Sequence, residues 1–297
     1  MSRKTLAQLL KEGTDFLEES RIEEAGLDAW LLLEYETGKS RAYFYAHQEE
    51  EVKDEVSCRY AELIRQRAKH IPLQHLTHQG FFMGYEFYVD NHVLVPRQDT
   101  ETLVEEALRI LKEKEDPSIL DMCTGSGCIL ISLLLETSGS TGTGVDISTE
   151  ALAVAKRNAK SLQVTDRAEF VESNLFSADY FCKKDGKEER KYDMLISNPP
   201  YIPSAEIEEL MEEVRLHDPR TALDGREDGL YFYREITGSA GKYLRPGGWL
   251  LYEIGCSQGK NVKKIMEAAG YQDVRILQDL AGLDRVAEGR MPGNTVQ

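Results

Sequence analysis

Leu195-Ile196-Ser197-Asn198-Pro199-Pro200-Tyr201 ends a run of apolar residues on two consecutive prolines. The run from Tyr192 to Ile196 predicts a buried parallel strand. Proline cannot donate to a sheet ladder and forces extended backbone before it, so the strand stops with Asn198 at its carboxyl end. In an open α/β sheet, ligands bind at that end.

The tetrapeptide Asn198-Pro199-Pro200-Tyr201 suits a nitrogen centre. Asn198 offers a side-chain carbonyl oxygen, and the rigid Pro199-Pro200 segment can aim a backbone carbonyl at the same point. Two fixed acceptors match the two hydrogens of an –NH2 group, and Tyr201 supplies a face for a planar group. An ordinary strand-to-loop turn is the competing reading, because Asn-Pro pairs often start turns. A nucleotide-type loop upstream favours chemistry over the turn.

That loop follows the apolar strand Ser118 to Cys123. Thr124-Gly125-Ser126-Gly127 leads into an apolar helix, Cys128 to Leu135. Strand, glycine turn and helix let backbone amides approach a nucleotide ligand. No Gly-Lys-Ser/Thr follows, which excludes a phosphate-binding P-loop, and Leu130 stands where a dinucleotide fold carries its third glycine. A second strand, Thr143 to Ile147, presents Asp146 roughly 20 residues after the turn, the spacing at which a carboxylate reaches a ribose diol. Asp146 could instead cap the helix Ser148 to Ser161, but Ser148 can serve there. A third strand, Ala168 to Glu172, leads to Asn174, able to bond the edge of an adenine, and Leu175, able to cover its face.

Around this core the pattern continues. The loop Cys182 to Lys191 is charged and predicted to be solvated, and Glu206 to Val214 reads as a short acidic helix. His217 to Gly225 reads as a turn-rich loop over the site. A helix at Gly229 to Leu244, a turn at Arg245 to Gly248, a strand at Trp249 to Ile254 and a helix at Lys260 to Ala269 follow, with Glu253 at another strand end. Val274 to Leu277 and Asp284 to Ala287 form a closing antiparallel pair. The fold class is therefore α/β, with a Rossmann-like, doubly wound, mainly parallel sheet and a C-terminal antiparallel hairpin.

Upstream, Leu6, Leu9, Leu10, Phe16, Leu17, Ala29, Leu32 and Leu33 recur at helical spacing. A further helix, Glu50 to Arg67, turns Val52, Val56, Tyr60, Leu63 and Ile64 inward. Residues 1–75 thus predict a bundle of four or five short helices, serving either packing or substrate recognition, with recognition the expected role. Gly80 to Val95 is aromatic and β-branched around Asp90-Asn91 and predicts a β-hairpin linker over 76–96. Residues 97–297 form the catalytic domain, opening on a helix to about Lys114 with Asp99 or Thr100 at its cap. Arg97 is either a surface ion-pair partner or the cation that holds Glu101 or a loop beside the cleft.

The 297 residues carry a net charge of −16, with 41% hydrophobic and 30% charged residues. Phosphate neutralisation by Lys and Arg supplies most non-specific nucleic-acid affinity, so the charge argues against direct binding to DNA or RNA. No apolar run reaches membrane-span length and Met1 to Thr5 lacks a secretory signal, so the expected location is the cytoplasm. Cys58, Cys123, Cys128, Cys182 and Cys256 are scattered and odd in number, pointing to reduced thiols with no metal site.

Assembled in order, these motifs resemble the protein-(glutamine-N5) methyltransferases of peptide chain release factors, the PrmC/HemK family. The likeness spans nearly the whole chain and rests on six stretches. They are Pro96-Arg97-x-Asp99-Thr100-Glu101, Asp121 to Gly127, Val145 to Ser148, Asn198 to Ile202, His217 to Arg220 through Asp224-Gly225, and Asp279 to Arg285. The resemblance implies an S-adenosyl-L-methionine-dependent enzyme releasing S-adenosyl-L-homocysteine. By its analogy Cys123, Thr124, Gly125, Ser126 and Gly127 cradle the methionine part of the cofactor, Asp146 the ribose, and Asn174 with Leu175 the adenine. Asn198, beside the cofactor methyl, would with Pro199, Pro200 and Tyr201 hold the glutamine of the release factor's Gly-Gly-Gln loop. Cys123 stands where many relatives have glycine, and Leu175 where some have tryptophan.

The implied mechanism is a direct displacement relying on positioning and desolvation rather than a strong base. Its rivals are a nucleic-acid amino-methyltransferase acting on adenine or guanine, since the tetrapeptide can hold a base's –NH2, and a non-catalytic cofactor-binding module. A monomer is expected.

Overall fold

A computed structural model describes residues 3–181 and 190–293. Cys182 and most of the charged loop after it therefore lie outside the described residues. The chain divides into two compact units, Met1–Gln79 with Met211–His217, and Gly80–Leu210 with Asp218–Gln297.

The first unit is helical: α1 (Leu6–Glu19), α2 (Ala25–Thr37), α3 (Arg41–Ala46), α4 (Asp54–Arg67) and α5 (Leu73–Thr77). A capping box starts α1, where Thr5 Oγ1 accepts the Gln8 N–H and Gln8 Oε1 accepts the Thr5 N–H. Gly38 ends α2 in the left-handed conformation, φ 65°. Leu6, Leu9, Leu17, Ala29, Leu32, Leu33, Tyr60 and Ile64 meet in one core, as their spacing requires, with Leu10, Val56 and Leu63 packed at its edge. Phe16 does not join them and stays 44% exposed.

The second unit opens on a hairpin of β1 (Gly80–Phe82) and β2 (Tyr85–Phe87). Its turn is Met83-Gly84, both at positive φ, rather than the expected Asp90-Asn91. Asp90 does make a turn, its Oδ1 accepting the His92 N–H at 3.0 Å. That turn joins segments outside the strands, whose Val89 and Val93 are buried against Ala151 and Val154. After a 3-10 turn at Gln98–Thr100 come α6 (Glu101–Leu111), β3 (Ser118–Met122), α7 (Cys128–Glu136), β4 (Thr141–Asp146), α8 (Thr149–Ser161), β5 (Ala168–Glu172) and β6 (Tyr192–Ser197).

The single acidic helix expected after β6 is instead two pieces, a 3-10 turn at Ile207–Glu209 and α9 (Glu212–His217). α9 belongs to the first unit: Glu213 meets the Arg67 guanidinium at 2.7 Å, and His217 Nε2 donates to the Lys69 carbonyl oxygen at 2.8 Å. The chain then forms α10 (Arg220–Leu223), α11 (Tyr231–Ala240), β7 (Leu244–Glu253), α12 (Gly259–Ala268), β8 (Gln272–Gln278) and β9 (Asp284–Arg290). β7 absorbs the expected Arg245–Gly248 turn as an irregularity, its register jumping between Tyr192↔Leu244 and Met194↔Trp249.

The seven-stranded sheet runs β5-β4-β3-β6-β7-β9-β8. The first five strands are parallel, and β9 pairs antiparallel with both β7 and β8. Side chains alternate between faces. Ile119, Met194, Ile196 and Leu251 pack with Leu103, Leu130 and Leu133 of α6 and α7, whereas Leu120, Leu195, Leu250 and Tyr252 pack with Tyr233, Ile236, Val262 and Met266 of α11 and α12. Both faces are covered, which explains the near-continuous apolar strands. Strand order reverses between β3 and β6, opening a crevice at their carboxyl ends.

Candidate active site

Met122 and Ser197 are register partners at the last residues of β3 and β6, and Ser197 Oγ donates to the Met122 carbonyl at 2.5 Å. The glycine turn and the Asn198 segment, 75 positions apart in the chain, therefore leave the sheet side by side.

In the turn, Cys123 (φ 63°), Gly125 (54°) and Gly127 (78°) are all left-handed. Gly127 begins α7, and a Cβ there would come within 2.9 Å of Ile131 Cδ1 and 3.2 Å of Ala155 Cβ. The helix thereby packs closely without the third glycine of dinucleotide folds. Thr124 Oγ1 donates to Asp121 Oδ2 at 2.6 Å. Complete burial, with the Asp146 charge adding to it, pushes the Asp121 carboxyl up to about 7 against the opposing Thr124 hydrogen bond. Burial, with the Asp146 and Asp121 charges adding to it, likewise pushes the Cys123 thiol far above its ordinary range.

Asp146 Oδ2 accepts the Gly125 N–H at 2.9 Å and its Oδ1 accepts the Ser148 N–H at 3.0 Å. Helix capping falls to Ser148, whose Oγ accepts the Ala151 N–H at 3.0 Å. Asn158, which sequence reasoning did not single out, is buried in α8. Its Nδ2 donates to the carbonyls of Ser126 at 2.9 Å and Tyr88 at 3.0 Å, bracing the turn from behind.

Asn198 is half-buried, and its Nδ2 donates to Thr100 Oγ1 at 3.3 Å. That bond leaves Oδ1 as the acceptor. Tyr201 Oη donates to Glu253 Oε1 at 3.4 Å, and the Tyr201 carbonyl accepts from Gln258 Nε2 at 2.9 Å. Glu253 is buried; desolvation pushes its carboxyl up to about 7, while the nearby Thr100 side chain, the Arg285 charge and the Tyr201 hydroxyl pull the other way.

The chain beyond Tyr201 pairs with the loop after α10. Ile202 N–H donates to the Leu223 carbonyl at 3.0 Å and the Gly225 N–H to the Ile202 carbonyl at 2.8 Å. A Cβ on Gly225 would lie 2.7 Å from the Tyr201 carbonyl carbon, so only glycine permits this approach. Arg97 NH2 donates to the buried carboxylate of Asp218 at 2.9 Å and so holds this loop. Glu101 is engaged elsewhere, accepting the Met83 N–H at 2.6 Å.

A cavity of about 470 Å³, within the usual ~300–1,000 Å³ of small-molecule sites, collects most of these residues. Cys123, Thr124, Gly125, Ser126, Asp146, Asn174, Leu175, Asn198 and Pro200 line it. Thr100, Arg97 and Phe232, for which no binding role was expected, line it too. Gly127, Pro199 and Tyr201 are not among its lining residues. Gly127 and Pro199 are buried, and the Tyr201 hydroxyl is directed to Glu253. The cavity can thus offer a carboxylate beside a backbone-rich turn at one side and an amide-directed acceptor at the other.

Comparison with known proteins finds matches in both parts of the chain. Residues 8–77 match the PrmC N-terminal domain family, and residues 100–225 match the methyltransferase small domain family. A release factor glutamine methyltransferase of Geobacter sulfurreducens is 37% identical over 287 residues, covering 97% of each chain. One from Moorella thermoacetica is 40% identical over 282 residues, covering 95% of this chain and 96% of its own. Among solved structures, the hMettl16 catalytic domain, crystallised with MAT2A 3'UTR hairpin 6, superposes with a TM-score of 0.56 at 14% identity, covering 82% of this chain and 84% of that one. That likeness is one of fold.

Proposed function

Since the chain belongs to the family of release factor glutamine methyltransferases, we propose that it transfers a methyl group from S-adenosyl-L-methionine to the side-chain N5 of the glutamine in the Gly-Gly-Gln motif of peptide chain release factors. The observation that carries this reading is the adjacency of the glycine turn and Asn198 at the β3/β6 switch point, lining one cavity.

The residues present suit the cofactor. Left-handed Cys123, Gly125 and Gly127 shape a turn in which side chains do not crowd the ligand, and Asp146 at the end of β4 has further lone pairs for a ribose diol. Asn174 and Leu175 line the same cavity and would hold the base. When bound, S-adenosyl-L-methionine supplies a methyl group already activated by its sulfonium charge.

What remains for the protein is to hold a weakly nucleophilic amide. Asn198 Oδ1 and the Pro199 carbonyl accept its two hydrogens, which turns the nitrogen lone pair out of conjugation. Pro200 and Tyr201 keep that segment rigid, and the Arg97-anchored loop excludes water. No strong base is needed, because the nitrogen becomes acidic only as the N–C bond forms and the donor C–S bond breaks, and its extra proton passes to solvent as the methylated product leaves. The helical unit recognises the release factor. A net charge of −16 supports action without direct nucleic-acid contact.

The test is incubation with radiolabelled cofactor and, separately, a release factor, its Gly-Gly-Gln→Gly-Gly-Ala variant, and total RNA or DNA. Label on the unaltered release factor alone is expected. Label on nucleic acid, or equal label on the alanine variant, would overturn the assignment.

A further inference from the structure

Gln258 ends the loop after β7, and its backbone carbonyl starts α12 by accepting the Asn261 N–H at 2.9 Å and the Val262 N–H at 3.0 Å. Its side chain makes no capping bond to that helix. The amide is turned inward instead, buried, with all four of its hydrogen-bonding positions taken. Nε2 donates to the Tyr201 carbonyl at 2.9 Å and to the Gly229 carbonyl at 3.3 Å. Oε1 accepts the Gly255 N–H at 3.0 Å and, at 3.3 Å, shares the Tyr233 hydroxyl proton with the Glu253 carbonyl. Two carbonyls on one side and two donors on the other permit one orientation only, because half a turn of the amide sets oxygen against oxygen and N–H against N–H.

The two carbonyls belong to two segments of the site. Tyr201 ends the tetrapeptide that begins at Asn198, and Gly229 ends the loop whose Pro219, Arg220, Thr221, Ala222, Asp224 and Arg226 line the cavity. Arg97 holds that loop at Asp218, and the Ile202–Asp224 bridge holds its middle. Gln258 holds its end without itself being among the lining residues. The approach is close: a Cβ on Gly229, φ 70°, would lie 2.3 Å from the Tyr201 carbonyl oxygen and 2.6 Å from Gln258 Nε2. From this arrangement, and resting on the function proposed above, we infer that Gln258 is a positioning residue for methyl transfer. Its amide ties the Tyr201 end of the acceptor segment to the Gly229 end of the loop, so that the two keep one spacing. It touches no reacting atom.

The experiment uses the full chain, a Gly-Gly-Gln release factor and S-adenosyl-L-methionine, with S-adenosyl-L-homocysteine affinity by calorimetry and thermal unfolding measured for every variant. Gln258→Met keeps much of the side-chain volume and removes all four bonds. Its kcat is expected to fall roughly 10- to 100-fold, the range of one to two lost hydrogen bonds. KM for the release factor and S-adenosyl-L-homocysteine affinity stay within a few-fold, because a loosened acceptor weakens the transition state more than the bound substrate. Gly229→Ala keeps the amide but forces the same contact apart, so it lowers kcat too, and the double variant loses less than the product of the two singles. Gly229→Ala carries the test should Gln258→Met fail to fold. Val262→Ala truncates a fully buried side chain one turn further along α12 and serves as the stability control, unfolding at a lower temperature with the wild-type kcat. Asn198→Ala is run beside them. If Asn198→Ala is inactive while Gln258→Met and Gly229→Ala turn over at the wild-type rate, the positioning role is wrong and the function stands. If Val262→Ala is as slow as Gln258→Met, the loss follows general destabilisation and the inference is again overturned. If Asn198→Ala is fully active, the reading beneath both fails.

Discussion

Asp146 Oδ2 accepts the backbone N–H of Gly125 at 2.9 Å, tying the end of β4 to a turn 21 positions earlier in the chain. The carboxylate that would receive a ribose therefore also shapes the loop that would receive the rest of the cofactor. Asp146→Ala removes both supports. Hydrogen bonds to a charged group contribute about 1.5–3 kcal/mol, so S-adenosyl-L-homocysteine affinity should drop roughly 10- to 100-fold by calorimetry. At saturating cofactor, kcat should stay within a few-fold, since the contact is uniform across the reaction. An unchanged affinity would remove Asp146 from the site.

Asp121 makes stability depend on pH. Its carboxyl is raised from the ordinary carboxylate value to about 7 by full burial. The folded state therefore holds a proton that the unfolded state releases, and that stabilising contribution is complete below about pH 4 and lost as pH rises through about 7. Asp121→Asn keeps an acceptor for Thr124 Oγ1 and carries no charge. Urea unfolding should show the variant gaining on the wild type between pH 5 and 8, by on the order of a few kcal/mol. A gap that does not vary with pH would contradict the assignment.

Left-handed backbone at Cys123, φ 63°, orders a third set of variants. A β-branched side chain there is strained by about 1–3 kcal/mol, whereas glycine carries no such penalty. Thermal unfolding should rank Cys123→Gly at or above wild type and Cys123→Val well below it. Valine matching wild type would mean that the turn relaxes to another conformation.

Legibility varied with how local the cause was. The apolar runs of β3 and β6, the prolines after Asn198 and the Asp146 spacing announce themselves, because hydrophobic periodicity and proline act within a few residues. The sequence points to a hairpin turn at Asp90-Asn91, which has the better turn chemistry, while Met83 adopts positive φ only in the company of Gly84 and paired aromatic strands. The split of the acidic segment at Met211 follows from Arg67, whose partners Asp28 and Glu213 are far apart in the chain. In the site, the sequence presents Thr100 as a helix cap and fits Arg97 to two roles. Only the fold reveals that one hydroxyl serves Asn198 and that one guanidinium holds Asp218. Asn158 gave no signal at all, since a buried asparagine on a helix is told from a surface one only by what packs on it.

Everything converges on the Asn198 side-chain oxygen as an acceptor for the substrate amide. The most direct measurement is single-turnover methyl transfer to a Gly-Gly-Gln release factor, followed by mass spectrometry, with wild type and Asn198→Ala at saturating cofactor. Loss of a preorganised acceptor predicts a rate lower by about 10²–10³-fold, with S-adenosyl-L-homocysteine affinity within a few-fold of wild type. Transfer by Asn198→Ala at the wild-type rate would contradict the account.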